Sequence, residues 1–315
     1  MKRKHGRLWC GMLGVLVMIF YSGALPARAQ EPLRLGILPV VDTLPLLVGE
    51  TEGLFAKAGV PVELVSFQSA LERDAALQAG QLDGYFGDIL NTILLIRAGQ
   101  DIKIVTTVFH THPDFRMFGI VAAPGAELTS LADLAGRQVA ISKATIIEYL
   151  LDRLLAARGL PPDYVEKLEI KKIPIRMQML MADQVPAALL PEPLLSLAEF
   201  KGGTVLLDDR GLDTSETILA LSKDVLLRPG VAEAFLAVYG QAVRRINQDP
   251  ETYKDLLMAR TRFPMPVKER FRVPVFPEPG PPSAADVAAV QDWLATSGND
   301  TRQLSYEALV RVAKP

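Results

Sequence analysis

From Leu33 to Val108 the sequence alternates short apolar runs with amphipathic segments that each stop at a glycine, and this alternation narrows the possible folds most. Leu33–Leu38, Val62–Phe67, Leu82–Phe86 and Ile102–Val108 have strand length and character. Between them, Pro45–Ala58, Ala70–Ala79 and Ile89–Ala98 carry apolar residues at helical spacing and are closed by Gly59, Gly80 and Gly99, where a left-handed residue ends a helix cheaply. Strand, helix and strand at such spacing predict right-handed crossovers and a largely parallel sheet.

A second set of units follows. Met117–Ala123, Gln138–Ile141, Leu168–Ile173, Val185–Leu190 and Thr204–Leu207 read as strands. Ile146–Arg158, a segment near Arg176–Ala182 and one starting at Glu192 read as the helices between them. Each set is large enough to close its own sheet, which predicts two α/β lobes. Glu216–Ser222 reads as the strand that crosses back, and the remainder is mostly helical, with a long apolar stripe from Val231 to Ile246. The proline-rich stretch Pro264–Pro282 reads as a stiff, irregular connection before a last helix capped by Ser283 and Asp286.

The N-terminus bears on compartment. Lys2, Arg3, Lys4 and Arg7 precede an apolar run, Leu8–Phe20, and Ala27-Arg28-Ala29 offers small residues at −3 and −1. That is the form of a cleaved export signal, and the run falls short of the roughly 20 residues a spanning helix needs. Residues 1–29 contain basic residues and no acid, so their removal takes the formal charge of −2 further negative. An acidic remainder argues against nucleic acid or an anionic membrane surface as partner. The single cysteine, Cys10, leaves with the leader, excluding disulfides, a thiol nucleophile and a thiolate metal site from the mature protein.

Ligands of open α/β sheets bind beyond the carboxyl ends of the strands, at helix N-termini. Four places have that character: Asp42-Thr43, Ser69 with Glu72, Gly87-Asp88, and Thr145 with Glu148. A Ser or Thr three residues before Glu is first of all a helix cap, stabilising by about 1 kcal/mol, so capping and ligand binding both stay open for Ser69 and Thr145. Asp88 suits either a cap or an acceptor for a ligand donor. His110, next to a crossing strand, Glu192 at a helix start and the cation Lys143 complete the candidate ligand-binding set, and Arg116 is a second cation in reach of an anion. His110-Thr111-His112 with Asp114 makes a poor metal cage. Glycine-rich phosphate loops, GxSxG and HExxH are absent, which favours binding over catalysis and calls for no cofactor.

The segments Gly36-Ile37-Leu38-Pro39, Asp42-Thr43-Leu44-Pro45-Leu46 and Glu52-Gly53-Leu54-Phe55 resemble the opening of the sulfonate/nitrate/taurine-type periplasmic binding proteins, a group similar to the thiamine-pyrimidine precursor binding proteins. The likeness continues through Phe67-Gln68-Ser69, Ala79 to Gly84, Leu131 to Ala140 and Pro186 to Pro193. It implies a bilobed, type II-like periplasmic binding protein, with two α/β lobes joined by two crossover strands. Residues 30–118 and 217–315 would form lobe 1 and residues 119–216 lobe 2. It further implies a monomer that closes on a small molecule and delivers it to the permease and ATPase of an ABC importer, with Asp42-Thr43, Ser69, Gly87-Asp88 and Ser142–Thr145 lining the cleft. The acids Asp42, Asp88, Glu148 and Glu192 would repel a simple sulfonate or nitrate and suit an amine or aminopyrimidine. Two rivals remain: an enzyme on the same fold, pyrimidine synthase-like or chorismate-processing, and a ligand-binding sensor module. The leader predicts a mature protein beginning at Gln30 in the periplasm; intact-mass measurement of exported protein checks this, and a mass retaining Met1 would refute it.

Overall fold

The structure is a computed structural model that describes residues 31–261, 267–297 and 301–312. The leader and its cleavage site lie outside the described residues. Two five-stranded sheets organise the chain. The first begins with β1 (Leu33–Ile37), α1 (Leu44–Thr51), α2 (Leu54–Lys57), β2 (Val62–Ser66), α3 (Ala70–Gln78), β3 (Gly84–Gly87), α4 (Ile89–Arg97) and β4 (Ile102–His110). The second holds β5 (Phe118–Ala122), β6 (Gln138–Ile141), α5 (Ile146–Ala156), β7 (Glu166–Glu169), α6 (Ile173–Met181), β8 (Ala187–Pro191), α7 (Leu194–Phe200) and β9 (Thr204–Asp208). The chain then returns as β10 (Ser215–Ser222), followed by α8 (Lys223–Leu226), α9 (Val231–Gln248), α10 (Lys254–Thr261), α11 (Ala284–Thr296) and α12 (Tyr306–Leu309).

The strand orders are β2-β1-β3-β10-β4 and β7-β6-β8-β5-β9. Each sheet therefore has four parallel strands and one antiparallel strand in the same slot, β10 in the first and β5 in the second. Sequence periodicity cannot reveal this: a strand buried on both faces reads as a continuous apolar run whichever way it points. β4 and β10 pair side by side from Ile102 with Ser222 to His110 with Ser215, so the chain leaves and re-enters the first sheet along one ladder.

Three boundaries depart from the sequence reading. The helix expected over Pro45–Ala58 is two, because Gly53 takes a left-handed φ of 66° and breaks it between α1 and α2. The strand expected over Leu168–Ile173 ends at Glu169, and Ile173 already opens α6, with Pro174 supplying a helix-ready φ in its first turn. The helix expected from Glu192 starts at Leu194.

Packing follows from apolar stripes. Leu150, Leu151, Leu154 and Leu155 of α5 are buried against the second sheet. Phe235 of α9 stacks on Phe55 with ring centroids 5.3 Å apart, fastening the C-terminal helices to the first sheet's side. The outer edge of β4 is covered: Thr107 N–H donates to Gly280 O at 2.7 Å and Arg311 N–H to Ile104 O at 2.8 Å. The proline-rich connection thus lies along a strand edge that would otherwise be open to pairing. Among the described residues, no helix is long and apolar enough to cross a membrane.

Gly84 shows how closely β10 is inserted. A Cβ at that position would sit 2.5 Å from Ala220 O and 2.7 Å from Leu221 Cδ2. Backbone cannot yield as a flexible side chain does, so Gly84→Ala is expected to destabilise by about 1–3 kcal/mol. A denaturant midpoint unchanged from the parent would contradict that reading of the β3–β10 contact.

Candidate functional site

The carboxyl ends of β1, β3, β6 and β8 face one another across a small cavity of about 50 Å³. The first sheet's side contributes Leu38, Val40, Asp42, Ala70, Arg73, Phe86, Gly87, Asp88 and Thr217. The second contributes Phe118, Ser142, Thr145, Ile146, Ile147, Lys171, Ile173, Arg176 and Pro191. The N-termini of α3, α4 and α5 reach this space and bring the positive ends of their dipoles.

The two halves touch around the cavity. Val41 N–H donates to Glu192 O at 3.1 Å, and Ile173 N–H to Gln68 O at 3.2 Å. Asn91 Nδ2 donates to Ala144 O at 3.4 Å, and Lys172 pairs with Glu72 at 3.0 Å. Farther out, Trp293 Nε1 of α11 donates to Asp152 Oδ2 of α5 at 2.9 Å, and its ring meets Tyr149 edge-on at 5.7 Å. The lobes are closed.

Two buried arginines in the lining differ sharply. Arg73, 0% exposed, is fully engaged: Nε and Nη2 donate to Asp74 Oδ1 at 2.9 and 2.6 Å, and Nη1 to Phe86 O at 2.7 Å. Its guanidinium also lies 4.6 Å from the Tyr85 ring centroid. Arg176, also 0% exposed, makes one hydrogen bond, Nη1 to Ile170 O at 3.1 Å, while Nε and Nη2 have no partner. Burial alone pulls it down to about 10, so it stays charged at neutral pH.

Four buried acids, Asp42 and Asp88 in the lining and Asp209 and Glu216 outside it, are held toward their neutral forms. Burial raises Asp42 to about 7, and neither carboxylate oxygen has a hydrogen-bond partner. The Thr217 hydroxyl beside it eases that rise without reaching proper hydrogen-bond geometry. Glu216 is pushed well above the carboxylate range by burial and by Asp209 and Asp42 nearby. Asp209 is raised by burial to about 7, though Met117 and Phe118 N–H groups donate to it at 2.9 and 2.7 Å. Asp88 is raised by burial to about 6, moderated chiefly by the Asn91 N–H that it caps at 2.7 Å.

Of the residues proposed from sequence, Asp42, Asp88 and Thr145 line the cavity. Asp88 and Thr145 are at the same time N-caps, of α4 and α5, Thr145 accepting from Ile147 N–H at 3.2 Å. Ser69 caps α3 through Glu72 N–H at 3.2 Å, one residue from the cavity-lining Ala70. Thr43 is buried and donates to Val40 O at 2.8 Å. Outside the lining are His110, paired with Asp213 at 2.8 Å, Lys143, exposed, and Glu192, paired with Arg116 at 2.9 Å. Arg116 also pairs with Glu199, so that cation of the crossing is spent on acids of the second lobe.

Arg176, Arg73, Thr217 and Lys171 are the polar lining residues that sequence reasoning missed, Lys171 pairing with Glu169 at 3.5 Å. Arg176 sits on the buried stripe of α6 with Ile173, Met177 and Leu180, and an arginine on an apolar stripe was the available signal. Among the described residues, no group of three or more His, Cys, Asp or Glu is arranged to hold a metal ion.

Two sheets with a shared slot for one antiparallel strand, two crossings and a cleft between strand ends define the bilobed periplasmic-binding-protein fold. Residues 41–253 match the family model described as NMT1/THI5 like, and the chain belongs to that family. Among solved structures, the alkanesulfonate-binding protein SsuA of Xanthomonas axonopodis pv. citri, bound to MOPS, superposes with a TM-score of 0.77 at 22% identity, covering 91% of this chain and 100% of that one. The periplasmic aliphatic sulphonate binding protein SsuA of Escherichia coli gives 0.74 at 20% identity over 90% and 93%. The nitrate-binding protein NrtA of Synechocystis gives 0.61 at 17% over 81% and 74%. A 61-residue stretch, 19% of this chain, is 39% identical to the nitrate import ATP-binding protein NrtC of Synechococcus elongatus and spans 9% of its length.

Raised carboxyls stabilise the fold below their unfolded pKa of about 4, and that contribution is lost as pH climbs through the folded values. Acids held low, such as Glu72 and Asp133, act oppositely, but their change is complete at acid pH. The ligand-free protein is therefore expected to melt at lower temperature at about pH 8 than at about pH 5, with Asp42→Asn flattening the slope. Parallel melting curves for parent and variant would rule out this placement of Asp42.

Proposed function

We propose that this chain is the solute-binding component of an ABC importer, working in the periplasm as a monomer after its leader is cleaved behind Ala29. It captures a small organic molecule between its lobes and presents the closed form to a membrane permease and its ATPase. The cavity enclosed between the strand ends of two lobes, with contacts across its rim, carries this reading. The lobe division at 118/119 and 216/217 belongs to it, with bending concentrated in the crossings near 111–117 and 209–214. Relatives named for sulfonate and nitrate import support the transport role.

Binding rather than turnover suits the lining. Among the described residues neither histidine nor cysteine borders the cavity, and Thr145 donates its hydroxyl to Ser142 O rather than to a base. Asp42, Asp88 and Thr145 are the proposed ligand contacts from the sequence set, with Ser69 and Thr43 acting through the helix ends and turns they hold.

Hinge closure can be followed directly. Trp293 is one of two tryptophans in the sequence, the other being Trp9 in the leader, and it sits on a contact that opening must break. Ligand is expected to reduce the radius of gyration in small-angle scattering and shift Trp293 emission together. A solute bound with neither change would remove the cleft-closure mechanism.

A further inference from the structure

The solute-binding reading leaves the class of solute open, and two buried groups on opposite sides of the cavity narrow it. We propose, resting on that reading, that the solute is amphoteric: an anionic group received by Arg176 and, across an apolar body, a protonated amine received by Asp42.

Arg176 directs a guanidinium into the cavity lining with Nε and Nη2 free of hydrogen bonds, and no acidic side chain among the described residues pairs with it. Those two nitrogens form one edge of the planar fork, the edge that grips a carboxylate or sulfonate through two parallel bonds. The cavity's other arginine is already saturated by Asp74 and Phe86 O. An unpaired buried cation is a costly feature unless something completes it.

Asp42 poses the complementary problem from the other lobe. It lines the same cavity, is 1% exposed, and both oxygens lack partners. The groups facing it are Thr217 and Glu216 from β10 and Tyr239 from α9. None is a cation, and neither a hydrogen bond nor an ion pair joins Asp42 to Arg176.

Much of the remaining lining is apolar, with Leu38, Val40, Phe86, Phe118, Ile146 and Ile173, beside Asp88, Ser142, Thr145 and Lys171. A plain anion would complete Arg176 and leave Asp42 bare, while a plain amine would do the reverse. A solute carrying both ends, separated by hydrocarbon, completes both. It also restores the ionised form of Asp42, so binding near neutral pH releases a proton to buffer.

Matched probes test this by calorimetry at about pH 8, where Asp42 is ionised in the folded protein. One series is 6-aminohexanoate, hexanoate and hexylamine; the other is 4-(aminomethyl)benzenesulfonate, 4-methylbenzenesulfonate and benzylamine. In at least one series the amphoteric probe should bind about 10- to 100-fold more tightly than either half. Asp42→Asn should bring it down to the level of the anion and leave the anion unchanged. Arg176→Met should remove the advantage of the anionic group while raising the melting temperature of the ligand-free protein; a merely structural arginine would lower it. An anion that binds as tightly as its amphoteric partner, an Asp42→Asn variant that loses nothing, or no binding in either series would each overturn the proposal. The solute-binding reading would survive any of these if another solute still shifts the scattering and Trp293 emission, and would fall only if none does.

Discussion

Everything at the site depends on the ladder between β4 and β10. The outgoing and returning strands pair antiparallel, from Ile102 with Ser222 to His110 with Ser215, so the second sheet hangs from two adjacent tethers. Adjacent tethers resist sliding, because that would break a ladder, and permit bending where pairing stops. At that end Asp209 accepts the N–H groups of Met117 and Phe118, binding the two crossings to each other. Thr217 and Phe118, placed by the same crossings, line the cavity.

The charges divide according to whether the fold already answers them. Arg116 with Glu192 and Glu199, Arg73 with Asp74, and Lys167 with Asp152 are completed by the protein's own acids. Asp42 and Arg176 are not, and both face the cavity. Burying an ionisable group without a partner costs several kcal/mol, so a fold keeps such groups where another molecule supplies the partner. The sequence left Asp88 open between cap and ligand acceptor; the fold engages it as the cap of α4, and Asp42, in the lining of the same cavity, is the acid without a partner.

Local chemistry was legible wherever it acts over a few residues. The caps at Ser69, Asp88, Thr145 and Ser283 stand as their spacing predicts. So do the glycine stops at Gly59, Gly80 and Gly99, all with left-handed φ. Gly53 was missed because the apolar pattern runs on through it, and periodicity registers side chains while this break lies in the backbone. The cations were misjudged for a related reason. Lys143 and Arg116 are near the cleft in sequence, but one points to solvent and the other to the acids Glu192 and Glu199.

By itself, the sequence determined the alternation of strands and helices, the two sets of units, the helix ends that face the cleft and the strand that returns. All of these follow from apolar periodicity and from side chain to backbone bonds within one turn. Tertiary structure decided the direction of β5 and β10, the closure of one lobe on the other and the membership of the cavity. Those depend on pairs such as Gly84 with Leu221 and Asp42 with Thr217, brought together from distant parts of the chain. Whether a buried charge is answered is a property of what surrounds it in space: Arg73 is completed by the adjacent Asp74 together with Phe86 O from β3, while Arg176 meets only Ile170 O.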